Sequence, residues 1–311
     1  MAFDVTALSA YIEDQDFPLI AKMQATGGLA DVVNIQSGIK GSSNLQFLST
    51  DVIFGADSCT RTASGSTAFT QRTITVGAIA VSEDLCVKDL NGFWTQTLVK
   101  QGASGEEEMP GAIESVYMAK KMNAMQNALA KSDFQGDTGS GVNNLSYYDG
   151  LLKLVDADGT VIDGNTGGVT VATGVTVSNI LAIIEAIWLA RPDSIREKQN
   201  LSLWLPFAFY DLYISALKTA NMFHYVGADG ETKYYGTNLT LRPTVGLDGL
   251  NRMVLCADDN VTIGMDGTGD EDAMKVRLDP VSEKSIFFDA TFKRGVQYAF
   301  GDEIVEFTLV P

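Results

Sequence analysis

The stretch that most constrains this chain is Pro110 to Ser132, PGAIESVYMAKKMNAMQNALAKS. Met118, Met122, Met125 and Leu129 recur at helical spacing and form one narrow apolar stripe. Lys120, Asn123, Asn127 and Lys131 fall on the opposite side, and Ala112, Ala119, Ala124, Ala128 and Ala130 fill the flanks with strong helix formers. Glu106, Glu107 and Glu108 stand before it, where a helix dipole favours negative charge. Pro110 suits a first turn, and Gly136 follows as a stop signal. Such a helix spans roughly 30 Å at ~1.5 Å per residue, long enough to brace a domain. A methionine stripe fills irregular core gaps, so the helix speaks to architecture and not to chemistry.

Residues 41–80 have the opposite character. They are rich in Ser, Thr and Gly and nearly free of helix formers. Leu45 to Leu48 with Val52 to Phe54 read as one strand region. Phe69 to Val76 reads as its return partner, with Gln71, Thr73 and Thr75 alternating against Arg72, Ile74 and Val76. Between them lies the polar DSCTRTASGS. The product is a long β-hairpin with too few large apolar residues for a core of its own, and a lone hairpin needs another surface to lie on.

The remaining chain mixes helix and strand. Ala7 to Glu13 and Phe17 to Thr26 suggest short helices, ended by Gly27 and Gly28. Ser82 with Asp84 reads as a helix start leading towards Phe93, Trp94 and Leu98. Residues 136–150 form a turn region dense in Gly, Asp and Asn. Residues 151–177 read as short strands broken by DADG, DGNTGG and ATG. Ser178 is the expected cap of a helix ended by Pro192, Leu201 to Leu205 a buried strand, and Pro206 the start of a third helix. From Tyr225 onward the pattern is β, through NLTLRP, RMVLCA, VTIGMD, AMKVRLDP, SIFFDATFKRGVQYAF and EIVEFTLV.

Composition narrows the function. A formal charge of −17 argues against a nucleic-acid reader, because phosphate contacts need clustered Lys and Arg. Cys59, Cys86 and Cys256 lie far apart and give neither a disulfide framework nor a zinc spacing. The first residues lack the basic region of a signal peptide, and the longest apolar run, Asn179 to Ala190, is interrupted by Glu185 and is too short to cross a bilayer. The chain is therefore expected to stay in the cytosol when made.

The sequence contains no nucleophile elbow, P-loop or dinucleotide fingerprint, and its one histidine, His224, sits between Phe223 and Tyr225. Asp156, Asp158 and Asp163 faintly resemble a calcium loop but lack its third early acid and terminal Glu, so they read as turns. Asp266, Asp270, Glu271 and Asp272 read as a solvated acidic loop, with a cation site between subunits as the alternative. No catalytic, cofactor-binding or metal-binding residue is assigned, and no enzyme activity is expected.

The tail supplies a resemblance. Phe287 to Phe300 followed by Asp302, Glu303, Ile304 and Val305 resembles the closing strands of tailed-phage major capsid proteins of the Hong Kong 97-type fold. Other elements follow in the family's order. The hairpin precedes the long helix; ALAKSDFQGDTGSG leads into Asp149, Gly150, Leu151 and Leu152 as after the family's spine helix; Trp204, Leu205 and Pro206 precede a helix. Asn221, Met222, Phe223, His224 and Tyr225 look most like capsid proteins of Bacteroidota phages such as the crAss-like group.

The resemblance implies an α+β chain with an N-terminal arm (1–40) and an extended β-hairpin loop (41–80). It further implies a peripheral domain (81–150, with spine helix 110–132), an axial domain (151–275) and peripheral closing strands (276–311). It implies a major capsid protein that self-assembles through hexamers and pentamers into an icosahedral shell around double-stranded DNA. Expected partners are a separate scaffolding protein (the arm-like sequence begins at Met1), a portal and decoration proteins, with no sequence-specific DNA contact and no membrane. Expected locations are the virion capsid and, during assembly, the host bacterial cytoplasm. The alternatives are an encapsulin-type nanocompartment shell and a tail or tail-tube subunit.

Overall fold

The computed structural model describes residues 28–55, 65–86, 111–220, 233–234, 236–266, 274–278 and 285–310. The long helix α1 spans Gly111–Gln135, one turn beyond the expected end at Ser132. Lys120, Asn123, Asn127 and Lys131 are exposed, Met122 is half-buried, and Met125 and Leu129 are buried. The Met118 side chain lies outside the described residues. The extra turn exists because Asp133 and Phe134 are fully buried and hold it in the core. Gly136 follows the last turn, and only glycine fits there, since a Cβ would lie 2.4 Å from the Tyr148 carbonyl oxygen and 2.6 Å from that of Ser132.

Two sheets frame the molecule. The strands of the first are β1 (Asn34–Gln36), β4 (Gly77–Cys86), β9 (Val261–Met265), β10 (Met274–Leu278) and β11 (Ser285–Tyr298); β2 (Ser42–Asp51) and β3 (Ser66–Thr75) form a separate hairpin. The spine of the first sheet is β11. It runs antiparallel to β4 from Ser285↔Cys86 to Arg294↔Gly77, and to β10 and then β9 along its other edge. β1 joins β9 in parallel.

The second sheet has the order β5 (Ile162–Asp163), β12 (Val305–Thr308), β8 (Arg252–Ala257), β6 (Leu201–Leu205), β7 (Leu239–Pro243). All five residues of β6 are buried, as a strand covered on both faces requires. Leu201, Leu203 and Leu205 join a core with helices α3 (Ile180–Leu189) and α4 (Phe207–Thr219). On the opposite face Trp204 joins Phe134 of α1, Leu151 and Val254, its ring centre 5.8 Å from that of Phe134. Strand alternation thus feeds two cores from one sheet.

Several expectations change. Leu151–Asp156 is a helix, α2, not a strand, and Ile162–Asp163 is a short strand in that region. Leu151, Leu152 and Val155 lie at helical spacing and bury together against the core that holds Phe134. Ser82 starts no helix: it lies inside β4, paired with Asp289 of β11. Ser178 does not cap α3 either; Asn179 holds that position, without a side-chain cap, and accepts from the Thr176 amide. By contrast Pro206 opens α4, and all six segments expected as strands after Tyr225 contain strands. The two sheets interleave along the chain, with β9 in the first and β12 in the second. Among the described residues no helix is long and apolar enough to cross a membrane.

Candidate functional site: an exposed hairpin and its root

The expected hairpin is present, with β2 and β3 paired antiparallel from Ser42↔Thr75 to Asp51↔Ser66. Alternation gives it two distinct faces. One carries Leu45, Phe47, Arg72 and Ile74; the other carries Asn44, Gln46, Leu48, Phe69, Gln71 and Thr73. The first face is anchored at its root, where Leu45 and Ile74 are buried with Ile39 and Val76, and Phe47 packs against them. The second face holds an uncovered cross-strand pair, Leu48 (56% exposed) and Phe69 (84% exposed). Val52, Ile53 and Phe54 extend this apolar end, Phe54 being 94% exposed. Residues 42–75 carry no net charge, since Asp51 and Asp57 cancel Arg61 and Arg72, although the whole chain stands at −17.

The root is tied down by polar contacts. Gln297 donates to the Thr73 carbonyl (2.9 Å), and Lys293 donates to that of Lys40 (2.7 Å). The Phe47 and Phe300 rings meet at a tilt of 57°, with centres 5.6 Å apart. The Arg72 guanidinium donates to Asp158 Oδ2 (2.6 Å) and lies 4.4 Å from the centre of the Tyr298 ring. Tyr298 donates through its hydroxyl to the same Asp158 oxygen (2.8 Å), and Thr160 donates to Oδ1 through its amide (3.0 Å) and hydroxyl (2.7 Å). Burial pushes the Asp158 carboxyl up, but the hydrogen bonds from Arg72, Thr160 and Tyr298 outweigh it and hold it well below the usual carboxylate range. Burial and the neighbouring carboxylate push the Tyr298 hydroxyl up to about 12. At Gly77, just past the root, a Cβ would lie 1.9 Å from the Tyr147 carbonyl oxygen, so the chain passes there only as glycine.

A second lock joins α1 to β11. Arg294 forks onto Asp133, Nε to Oδ1 at 2.8 Å and Nη2 to Oδ2 at 2.7 Å, and the Tyr148 hydroxyl donates to Oδ1 at 2.7 Å. Arg294 is 2% and Asp133 0% exposed. Burial drives the Tyr148 pKa well above its ordinary value.

The acidic residues weighed as cation ligands that the structure describes are otherwise engaged. Asp156 accepts from Arg252 (2.9 and 2.5 Å), Asp158 from Arg72, and Asp163 from the Asn165 amide (2.8 Å). Asp266 lies 3.2 Å from Lys293 Nζ, while Asp270, Glu271, Asp272 and His224 lie outside the described residues. Among the described residues no three His, Cys, Asp or Glu converge on a point that could hold a metal. Cys256 is buried, and burial pushes its thiol up to about 12.

Sequence reasoning did not pair Arg72 with Asp158 or Arg294 with Asp133. Their signal is one of phase. Arg294 shares the inward parity of Phe292, Val296 and Tyr298, and Arg72 that of Ile74 and Val76. An arginine in phase with a strand's buried face needs an inward carboxylate.

No protein-family model and no curated protein matches this sequence. The fold, however, matches capsid chains in solved structures. The capsid of an empty GTA particle matches over 91% of this chain and 90% of its own, at 14% identity and a TM-score of 0.55. The procapsid of satellite phage P4 with its size determination (Sid) protein matches over 94% and 98%, at 11% identity and 0.56. The capsid of the Myoviridae phage XM1 matches over 90% and 89%, at 13% identity and 0.56. At such identities the likeness establishes the fold, a mixed α+β capsid fold spanning about nine-tenths of the chain.

Proposed function

We propose that this chain, which has the Hong Kong 97-type capsid fold, is the major capsid protein of a tailed phage and builds the icosahedral head shell around double-stranded DNA. The observation that carries this reading is the hairpin's far end. It exposes large apolar side chains, on a hairpin without net charge, in a strongly acidic chain with a capsid fold. Exposed apolar area of this kind marks an interaction surface, and a neutral arm meets an acidic neighbour without charge repulsion. A second copy of the chain supplies the missing cover.

In this reading residues 41–80 are the extended loop, α1 is the spine of the peripheral domain, and the sheet carrying α3 and α4 is the body of the axial domain. The closing segment 276–311 serves both, because β11 and β12 lie in different sheets. Copies gather as hexamers and pentamers, with a separate scaffolding protein, a portal and decoration proteins as further partners. Negative charge on the wall lets DNA be packaged without being gripped. The likeness of Asn221 to Tyr225 to Bacteroidota phage capsids makes that host group, and its cytoplasm, the expected setting of assembly.

Negative-stain images of the purified protein test the proposal. Closed shells are expected, and deletion of Ser58 to Phe69 should leave a folded monomer that closes none. Normal shells from the deleted chain would overturn the role given to the hairpin. Packaged phage DNA in particles from infected cells supports a head; a cargo enzyme in its place marks a nanocompartment, and open tubes mark a tail subunit.

A further inference from the structure

We infer that Arg72, Asp158 and Tyr298 form a directional clamp that fixes the angle between the hairpin and the body, and that this angle sets the diameter of the closed shell; the second half rests on the capsid reading.

The clamp joins three distant parts of the chain. Arg72 belongs to β3, Asp158 to the turn after α2, and Tyr298 to the end of β11. The other root contacts orient the hairpin less closely: Gln297 and Lys293 each reach one backbone carbonyl through a long flexible side chain. The cluster of Ile39, Leu45, Ile74 and Val76 is apolar, and apolar contact has no preferred direction. A guanidinium held by a carboxylate and laid over an aromatic ring is directional, because its Nη2 hydrogen bond and its seat over the ring must both be satisfied. Asp158 is itself fixed, with Oδ1 bound by Thr160 and Oδ2 shared by Arg72 and Tyr298.

Position gives the clamp its leverage. Arg72 sits near the root, opposite Leu45, and the strand continues to Ser66. Six residues at ~3.4 Å each make a lever of about 20 Å, so a 10° swing at the clamp moves the far end by about 3 Å. In a closed shell every subunit repeats the same contact, so an error in that angle repeats at every interface and changes curvature.

The test uses Arg72→Met, Arg72→Lys, Asp158→Asn and, as the mildest change, Tyr298→Phe, which keeps the ring and removes the hydroxyl. Spin labels at Thr50→Cys and Lys218→Cys, with Cys59→Ser and Cys86→Ser, report the arm-to-body distance in unassembled subunits. Electron micrographs of the unlabelled full chain report shell diameter. We expect a narrow distance distribution and one diameter class for the wild type. The first three variants should broaden the distance distribution by about 3 Å or more and yield mixed diameters. Arg72→Lys separates orientation from charge, because it keeps the charge and loses the planar guanidinium; full rescue by Lys overturns the clamp. So does a variant that only lowers the melting temperature while arm distance and diameter stay as in the wild type. Broadened arms with uniform shells would break the link from angle to size. If the wild type forms no closed shell, the capsid reading fails, and the distance measurement still decides the clamp. A variant that does not fold is replaced by Tyr298→Phe, for which a distance distribution as narrow as the wild type's counts against the clamp.

Discussion

At the scale of single residues, the molecule depends on charges placed where chain-local rules favour apolar groups. Arg294 and Asp133 are both buried and joined by two hydrogen bonds, with Tyr148 satisfying a further lone pair. Removing one partner leaves an uncompensated buried charge, so Arg294→Met should cost about 3–5 kcal/mol. Urea unfolding followed by circular dichroism measures it. The double variant Asp133→Leu with Arg294→Met should be less destabilised than Arg294→Met alone, since no charge is then stranded. A double variant worse than the single would show that the pair's geometry, and not its desolvation, dominates. The phase of Arg294 among Phe292, Val296 and Tyr298 was legible in the sequence; its partner, 161 positions away, was not.

At the scale of elements, the hairpin and the long helix contrast in how they are completed. α1 buries the later part of its stripe within the chain: Met125 and Leu129 are covered, and the last turn is seated by Phe134. The hairpin covers only its root, and its free face presents Leu48 beside Phe69. Substituting exposed side chains changes stability little, so Leu48→Ser and Phe69→Ser should alter unfolding by less than about 0.5 kcal/mol. The same variants should abolish shell formation, which light scattering reads directly. Wild-type assembly by both variants would show that the apolar pair is not the contact surface. The hairpin's existence and alternation were visible in residues 41–80, whereas which face was anchored depended on Asp158 and Tyr298, residues outside that segment. The short helix α2 was missed because six residues with mixed apolar spacing satisfy either period, and only packing against the core that holds Phe134 selects the helical one.

At the scale of the whole molecule, two sheets are built from interleaved segments and one large charge is spread over the surface. β9 leaves the second region of sequence to join the first sheet, and β12 returns to close the second. In the proposed shell, a net charge of −17 per copy makes the copies repel one another. Salt shortens the range of that repulsion, from about 30 Å at 0.01 M to about 8 Å at 0.15 M. Assembled particles should therefore dissociate at a higher temperature as salt rises through that range, by light scattering on heating. Particles that come apart sooner in added salt would show that attractive ion pairs between copies outweigh the general repulsion.

The amino-acid order alone determined the long helix, the paired strands of the hairpin, the β-rich tail and the net negative charge. Each of these is written in neighbours a few positions apart, through periodicity, turn residues and charge, and the resemblance of the tail pointed to the capsid fold. Tertiary structure decided where the helix ends, that Ser82 belongs to a strand, that Leu151–Asp156 coils, and which carboxylates answer Arg72 and Arg294. The physical reason is that a buried charge or an ambiguous short segment is resolved by whatever packs against it, and in this chain those groups come from 86 and 161 positions away.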